Sequence, residues 1–147
     1  MKKLLIIDDD KDLLEMVEVA LTEQGFDVRT STEGSSFLSQ VENFKPDIVL
    51  LDVFLKDADG RELCYRLKSD PAYDHIPVAL YSAGHMSHST IINSKANTYI
   101  TKPFDLGQLG DKLRAMLAKE NNESVSAKYL DLIRQYIPFN NPKLSGS

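Results

Sequence analysis

The chain has no tryptophan and one cysteine, Cys64, among its 147 residues. A lone thiol cannot close an internal disulfide, build a multi-thiolate zinc site or hold an iron–sulfur cluster of the usual kind. Cys64 lies at helical spacing with Leu63 and Leu67 and reads as a core residue. No apolar run approaches the ~20 residues that a membrane-spanning helix needs. Leu4–Ile7, behind Lys2 and Lys3, is too short for a signal-peptide core and runs straight into Asp8-Asp9-Asp10. A soluble, cytoplasmic domain with no membrane partner is expected. A basic surplus is also missing: 17 Lys and Arg stand against 22 Asp and Glu, a net charge of −5. With no basic run either, no direct nucleic-acid partner is expected.

What is present is a regular alternation of segments without internal repeats, in a chain near the commonest domain size. Lys3–Ile7 and Ile48–Leu51 are continuous apolar runs, the pattern of strands buried on both faces, and Val78–Tyr81 after Pro77 is a third. Asp27–Ser31 and Thr98–Thr101 carry polar residues and read as edge strands. Between them, Leu13, Leu14, Val17, Ala20 and Leu21 recur at helical spacing until Gly25. Ser35–Phe44, the segment of Leu63, Cys64 and Leu67, and the polar stretch Gly84–Asn97 supply three more helices. A fifth carries Leu106, Leu109, Leu113, Met116 and Leu117 behind an Asp105/Gln108 capping box. Strand–helix five times over predicts an α/β fold, a doubly wound five-stranded parallel sheet. Right-handed crossovers then favour the strand order 2-1-3-4-5. In that order ligands bind at the carboxyl ends of strands one and three.

Three acids fall there: Asp8 and Asp9 after strand one, and Asp52 after strand three. Singly each reads as a loop residue, and Asp10 as a helix N-cap. Together they repel one another and raise each other's pKa unless a cation sits among them. Hard oxygen ligands with room for water suit Mg²⁺. Ser82 ends strand four and Lys102 ends strand five, on the same rim. Taken singly these are a helix cap and a loop lysine. Beside three acids they can neutralise a transferring phosphoryl group, with Asp52 the candidate nucleophile for an aspartyl phosphate.

Five separated motifs now stand in order: Ile6-Ile7-Asp8-Asp9-Asp10, Pro46-Asp47-Ile48-Val49-Leu50-Leu51-Asp52, Asp59-Gly60, Tyr81-Ser82-Ala83 and Tyr99-Ile100-Thr101-Lys102-Pro103-Phe104. Over about residues 3–118 the chain resembles the receiver domain of two-component response regulators. The resemblance implies a flavodoxin-like (βα)5 fold and Asp52 as phosphoacceptor, supplied by a histidine kinase or histidine phosphotransfer protein. It implies that Asp9, Asp52 and the backbone carbonyl of Phe54 bind Mg²⁺, with Asp8 acting mainly through a bound water. Lys102, joined to Pro103 by a cis bond, would contact the phosphoryl oxygens. Ser82 would move toward them and Tyr99 would swing inward behind it. The implied product is a switched protein-interaction surface on the fourth helix, fifth strand and fifth helix. It would be read by a downstream protein, with a homodimer also compatible. Such a domain catalyses only its own phosphorylation and dephosphorylation.

Some residues depart from the family pattern. Leu55-Lys56 stands where Met-Pro is usual, Lys95 where a Gly is usual, and Gly107 and Gly110 fall within the fifth helix at about 1 kcal/mol each relative to Ala. Phe54 and Gly84 offer no polar side chain to orient an attacking water, so slow self-dephosphorylation is expected. A Mg²⁺-dependent aspartyl-phosphate phosphatase is the alternative, but it wants an acid where Phe54 stands. A flavin mononucleotide site is disfavoured by the acids after strand one. The receiver is expected over 1–119. Residues 120–147 are expected to form an extension, read first as a disordered tail and alternatively as a short helix around Tyr129–Ile137 ended by Pro138, with Lys143–Ser147 disordered in both readings.

Overall fold

The computed structural model describes residues 1–120. Five parallel strands, β1 Lys2–Ile7, β2 Phe26–Ser31, β3 Ile48–Asp52, β4 Val78–Ser82 and β5 Thr98–Thr101, form one sheet in the order β2-β1-β3-β4-β5. The helices are α1 Lys11–Glu23, α2 Phe37–Phe44, α3 Gly60–Lys68, α4 His88–Ser94 and α5, 106–120. Fold class and strand order are as the sequence predicts.

The continuous apolar runs have a simple cause. Successive strand side chains point to opposite faces, and both faces of the central strands are covered. Leu5, Ile7, Val49, Leu51, Val78 and Leu80 pack with Phe37, Val41, Leu63, Cys64 and Leu67 of α2 and α3. Leu4, Ile6, Ile48, Leu50, Ala79 and Tyr81 pack with Leu14, Val17, Leu21, Leu109 and Leu113 of α1 and α5. Cys64 is fully buried, and burial pushes its thiol up to about 12, the signature of an inert core residue.

Helix starts follow their caps. The Asp10 carboxylate accepts from Leu13 N, Asp59 from Arg61 N, and Asp105 from Gln108 N. Gly25, at φ +97, ends α1. Two elements differ from expectation. The second helix opens with a 3₁₀ turn, Gly34–Ser36, and α4 is shorter than 84–97 because Ser87 caps it at Thr90 N. At its other end Lys95 takes the left-handed conformation, φ 62, in the position where the family places glycine. Gly110 is a packing residue: a Cβ there would collide with the Gln24 side chain, which donates to the Leu106 carbonyl at 3.2 Å. The helix expected around Tyr129–Ile137 and the rest of the extension beyond residue 120 lie outside the described residues.

Candidate functional site

Strand register assembles the site. Ile7 pairs with Leu51, so Asp8 emerges beside Asp52. Asp52 pairs with Tyr81 and Ser82 with Thr101, which brings Ser82 and Lys102 to the same rim. Ligand oxygens of Asp8, Asp9 and Asp52 lie within 4.8 Å of one another, the one such acidic group among the described residues. All donors are hard carboxylate oxygens, a set that fits Mg²⁺.

Asp8 is fully buried and fully partnered. Its Oδ1 accepts from Asp10 N at 2.9 Å, and its Oδ2 accepts from the Tyr81 hydroxyl at 2.6 Å and from Lys102 Nζ at 2.8 Å. Asp52, 5% exposed, lies 3.6 Å from the same ammonium. Burial, then the charge of Asp8, raises the Asp52 carboxyl to about 6, although Lys102 and the Phe54 amide pull the other way. A carboxyl raised this far is still ionised at neutral pH, but as a strained anion that further positive charge would stabilise.

The loop after β3 is built to hold this cluster. Gly60 N donates to Val53 O at 2.8 Å, and a Cβ at Gly60 would run into the Asp52 carbonyl. Arg61 forms a fork to Asp59, with Nη2 to Oδ2 at 2.6 Å, which holds the Asp59 carboxyl below the usual range. The Asp57 carboxylate accepts from Gly34 N at 2.9 Å and Ser35 N at 3.0 Å, tying the loop to the start of α2. Those backbone donors lower its pKa. Lys56 N donates to Asp9 Oδ2 at 2.9 Å. A proline at position 56 would have no such N–H, so the departure from the family pattern adds a partner for a site carboxylate. The Phe54 side chain is 61% exposed, with the Arg61 guanidinium 5.9 Å over its ring.

Across the site, Ser82 is buried and its Oγ accepts from Gly84 N at 3.1 Å. Tyr99 is half-buried, and its hydroxyl donates to the Gly84 carbonyl in the β4–α4 loop. Ser82, Gly84 and Tyr99 are therefore joined through one short loop. The Lys102–Pro103 bond is cis. Beside Lys102 opens a cleft of about 720 Å³ lined by Leu13, Met16, Ala83, Phe104 and Leu106 among others.

Asp8, Asp9, Asp52, Phe54, Ser82 and Lys102 thus fall at one edge of the sheet, and Tyr99, inside β5, reaches toward it through its hydroxyl. Sequence reasoning missed the hydroxyl of Tyr81, the Asp57 tie and the Lys56 amide. Tyr81 alone carried a signal, since a tyrosine in a buried aliphatic strand needs a partner for its O–H.

The sequence pattern described as "Response regulator receiver domain" matches residues 4–114. The chain is 31% identical over 137 residues to the DNA-binding dual master transcriptional regulator RpaA of Synechocystis sp., covering 92% of this chain and 57% of that protein. It is 32% identical to the DNA-binding response regulator MtrA of Mycolicibacterium smegmatis, covering 83% and 53%. Among solved structures, a two-component response regulator from Clostridium difficile superposes with a TM-score of 0.75 at 27% identity, covering 82% of this chain and 99% of that one. A CheY-like response regulator receiver domain protein from Methanospirillum hungatei gives 0.76 at 25%, covering 84% and 98%.

These relatives correct one expectation. The acidic balance predicts no direct nucleic-acid partner, yet RpaA and MtrA are DNA-binding proteins by name. The chain spans about half the length of these curated relatives, and the charge of one module does not decide what a whole protein binds. Among the described residues no helix is long and apolar enough to cross a membrane. By the match over 4–114, borne on a five-stranded sheet with three acids at its carboxyl edge, the chain belongs to the response regulator receiver family.

Proposed function

We propose that this receiver takes a phosphoryl group on Asp52 from a histidine kinase or histidine phosphotransfer protein, in the cytoplasm, and turns no other substrate over. One observation carries the reading: Asp52 is buried at the end of the central strand, within reach of both Lys102 and the Asp8–Asp9 pair. The residues that would hold Mg²⁺ are Asp8, Asp9, Asp52 and the carbonyl of Phe54; when bound it supplies charge neutralisation for an incoming phosphoryl group.

An Asp52 carboxylate oxygen attacks the phosphorus in line. The P–N bond to the donor imidazole breaks and its electron pair returns to the ring. Lys102 meets the charge that spreads over the phosphoryl oxygens. Ser82 turns its hydroxyl from Gly84 N toward one of those oxygens, and Tyr99, already bonded to Gly84, follows the same loop. Partners that exist in only one state bias the population toward it. The altered face, around α4, β5 and α5, is read by a downstream protein.

Incubation with acetyl phosphate and Mg²⁺ tests the chemistry. One phosphoryl group should be gained and released by neutral hydroxylamine, which cleaves acyl phosphates. A hydroxylamine-stable adduct would place the group on a hydroxyl and overturn the assignment.

A further inference from the structure

In the resting protein Lys102 is on the wrong carboxylate. Its ammonium lies 2.8 Å from Asp8 Oδ2 but 3.6 Å from Asp52 Oδ2. For Lys102 to reach phosphoryl oxygens on Asp52 it must leave Asp8. Asp8 is fully buried, and even beside a bound Mg²⁺ it loses a partner on Oδ2 when the lysine leaves, which is costly unless another donor remains there.

Tyr81 is placed to remove that obstacle. It is 1% exposed, and its hydroxyl donates to the same Asp8 Oδ2 at 2.6 Å, a charge-assisted bond at the short end of the usual range. Its ring also lies under the ammonium, with Nζ 4.4 Å from the centroid. The ring is held edge-on by Phe104 at 5.9 Å between centroids, so it does not follow the lysine. With Lys102 gone, Asp8 would keep Tyr81 Oη on one oxygen and Asp10 N–H on the other.

We propose that Tyr81 is a positioning residue that frees Lys102 for the phosphoryl group: its hydroxyl takes over Asp8 while its ring face carries the departing ammonium. This rests on the phosphoacceptor reading above. It assigns a role to a side chain whose hydroxyl bonds Asp8 and whose ring lies under the ammonium, so that it acts through Lys102.

The test is the rate of phosphoryl uptake from acetyl phosphate in Tyr81→Phe, followed by intact mass as Mg²⁺ is titrated. Phenylalanine keeps the ring and removes only the donor. Lys102 then stays with Asp8, so the rate at saturating Mg²⁺ should fall about 5–10-fold, a fraction of what losing a transition-state cation costs. Half-saturating Mg²⁺ should rise, because Tyr81 also supports a ligand carboxylate, so the rates are compared at saturating Mg²⁺. A merely structural role lowers thermal stability without lowering the saturating rate. In a Lys102→Ala background the same substitution should change the rate by less than about twofold, since a residue acting through Lys102 has nothing left to act on. Equal saturating rates in parent and Tyr81→Phe overturn the proposal, as does a full extra loss on top of Lys102→Ala. If the phenylalanine variant does not fold, Tyr81→Leu removes donor and ring together and should slow uptake at least as much, again with no further loss on top of Lys102→Ala. A parent chain that takes no phosphoryl group instead sinks the phosphoacceptor reading itself.

Discussion

Gly60 sits against the backbone of Asp52 so closely that a single added methyl group would collide with the Asp52 carbonyl oxygen. The start of α3 and the end of β3 are thus one rigid corner, closed by the Gly60 N–H to Val53 O bond. Gly60→Ala should cost about 3 kcal/mol, because the neighbour is backbone and cannot turn aside. Urea denaturation checks this; a loss below ~0.5 kcal/mol would mean the corner is slack.

Asp52 should destabilise the metal-free protein above pH 6. Its carboxyl is at about 6 in the fold against an ordinary 3.8, so between those values the folded state binds more protons than the unfolded one. Stability therefore falls as pH rises through that window and is level above it. Asp52→Asn removes the cost. With chelator present the variant should be more stable than the parent at pH 7.5 by about 1 kcal/mol or more, roughly 4 °C in midpoint. The gain should fade between pH 6 and 4. A variant that melts below the parent at pH 7.5 would show that Asp52 is stabilised by Lys102 rather than strained by burial and Asp8.

Asp57 should behave in the opposite sense. Two backbone N–H donors lower its pKa, so its contribution is present above the ordinary carboxylate range and lost as pH falls through the lowered value. Asp57→Ala should reduce stability at pH 7, and the difference between the two proteins should shrink as pH falls below the ordinary carboxylate range. Parallel curves down to acid would refute the loop tie.

The phosphorylated form should lose its phosphoryl group slowly. Phe54 presents an exposed aromatic side chain and Gly84 none, so neither orients water at the phosphorus. Phe54→Asn should shorten the lifetime by roughly 10-fold through better placement of the attacking water. A parent half-life of seconds in Mg²⁺ buffer would contradict the premise.

The strands were readable because their two-sided burial leaves unbroken runs such as Ile48–Leu51, and the site because parallel strands bring their ends to one edge. Asp8, Asp52, Ser82 and Lys102 are separated along the chain but share that edge, so spacing and topology sufficed. The short α4 was less legible: its start is set by a Ser87 cap within a polar stretch in which several serines are equivalent on paper. Tyr81 and Asp57 were hidden for a different reason. Their partners, Asp8 and the Gly34–Ser35 amides, are fixed by packing between elements that local pattern does not specify. The 3₁₀ turn before α2 belongs to the same class, since Asp57 holds its first amides.

The most direct measurement is phosphoryl occupancy by intact mass, with acetyl phosphate as donor, in the parent and Asp52→Asn across a Mg²⁺ titration. The parent should take up one group with an extent that rises with Mg²⁺, and the variant none. Equal uptake by Asp52→Asn, or uptake by the parent in excess chelator, would contradict the assignment of Asp52 as the acceptor in a carboxylate-held cation site.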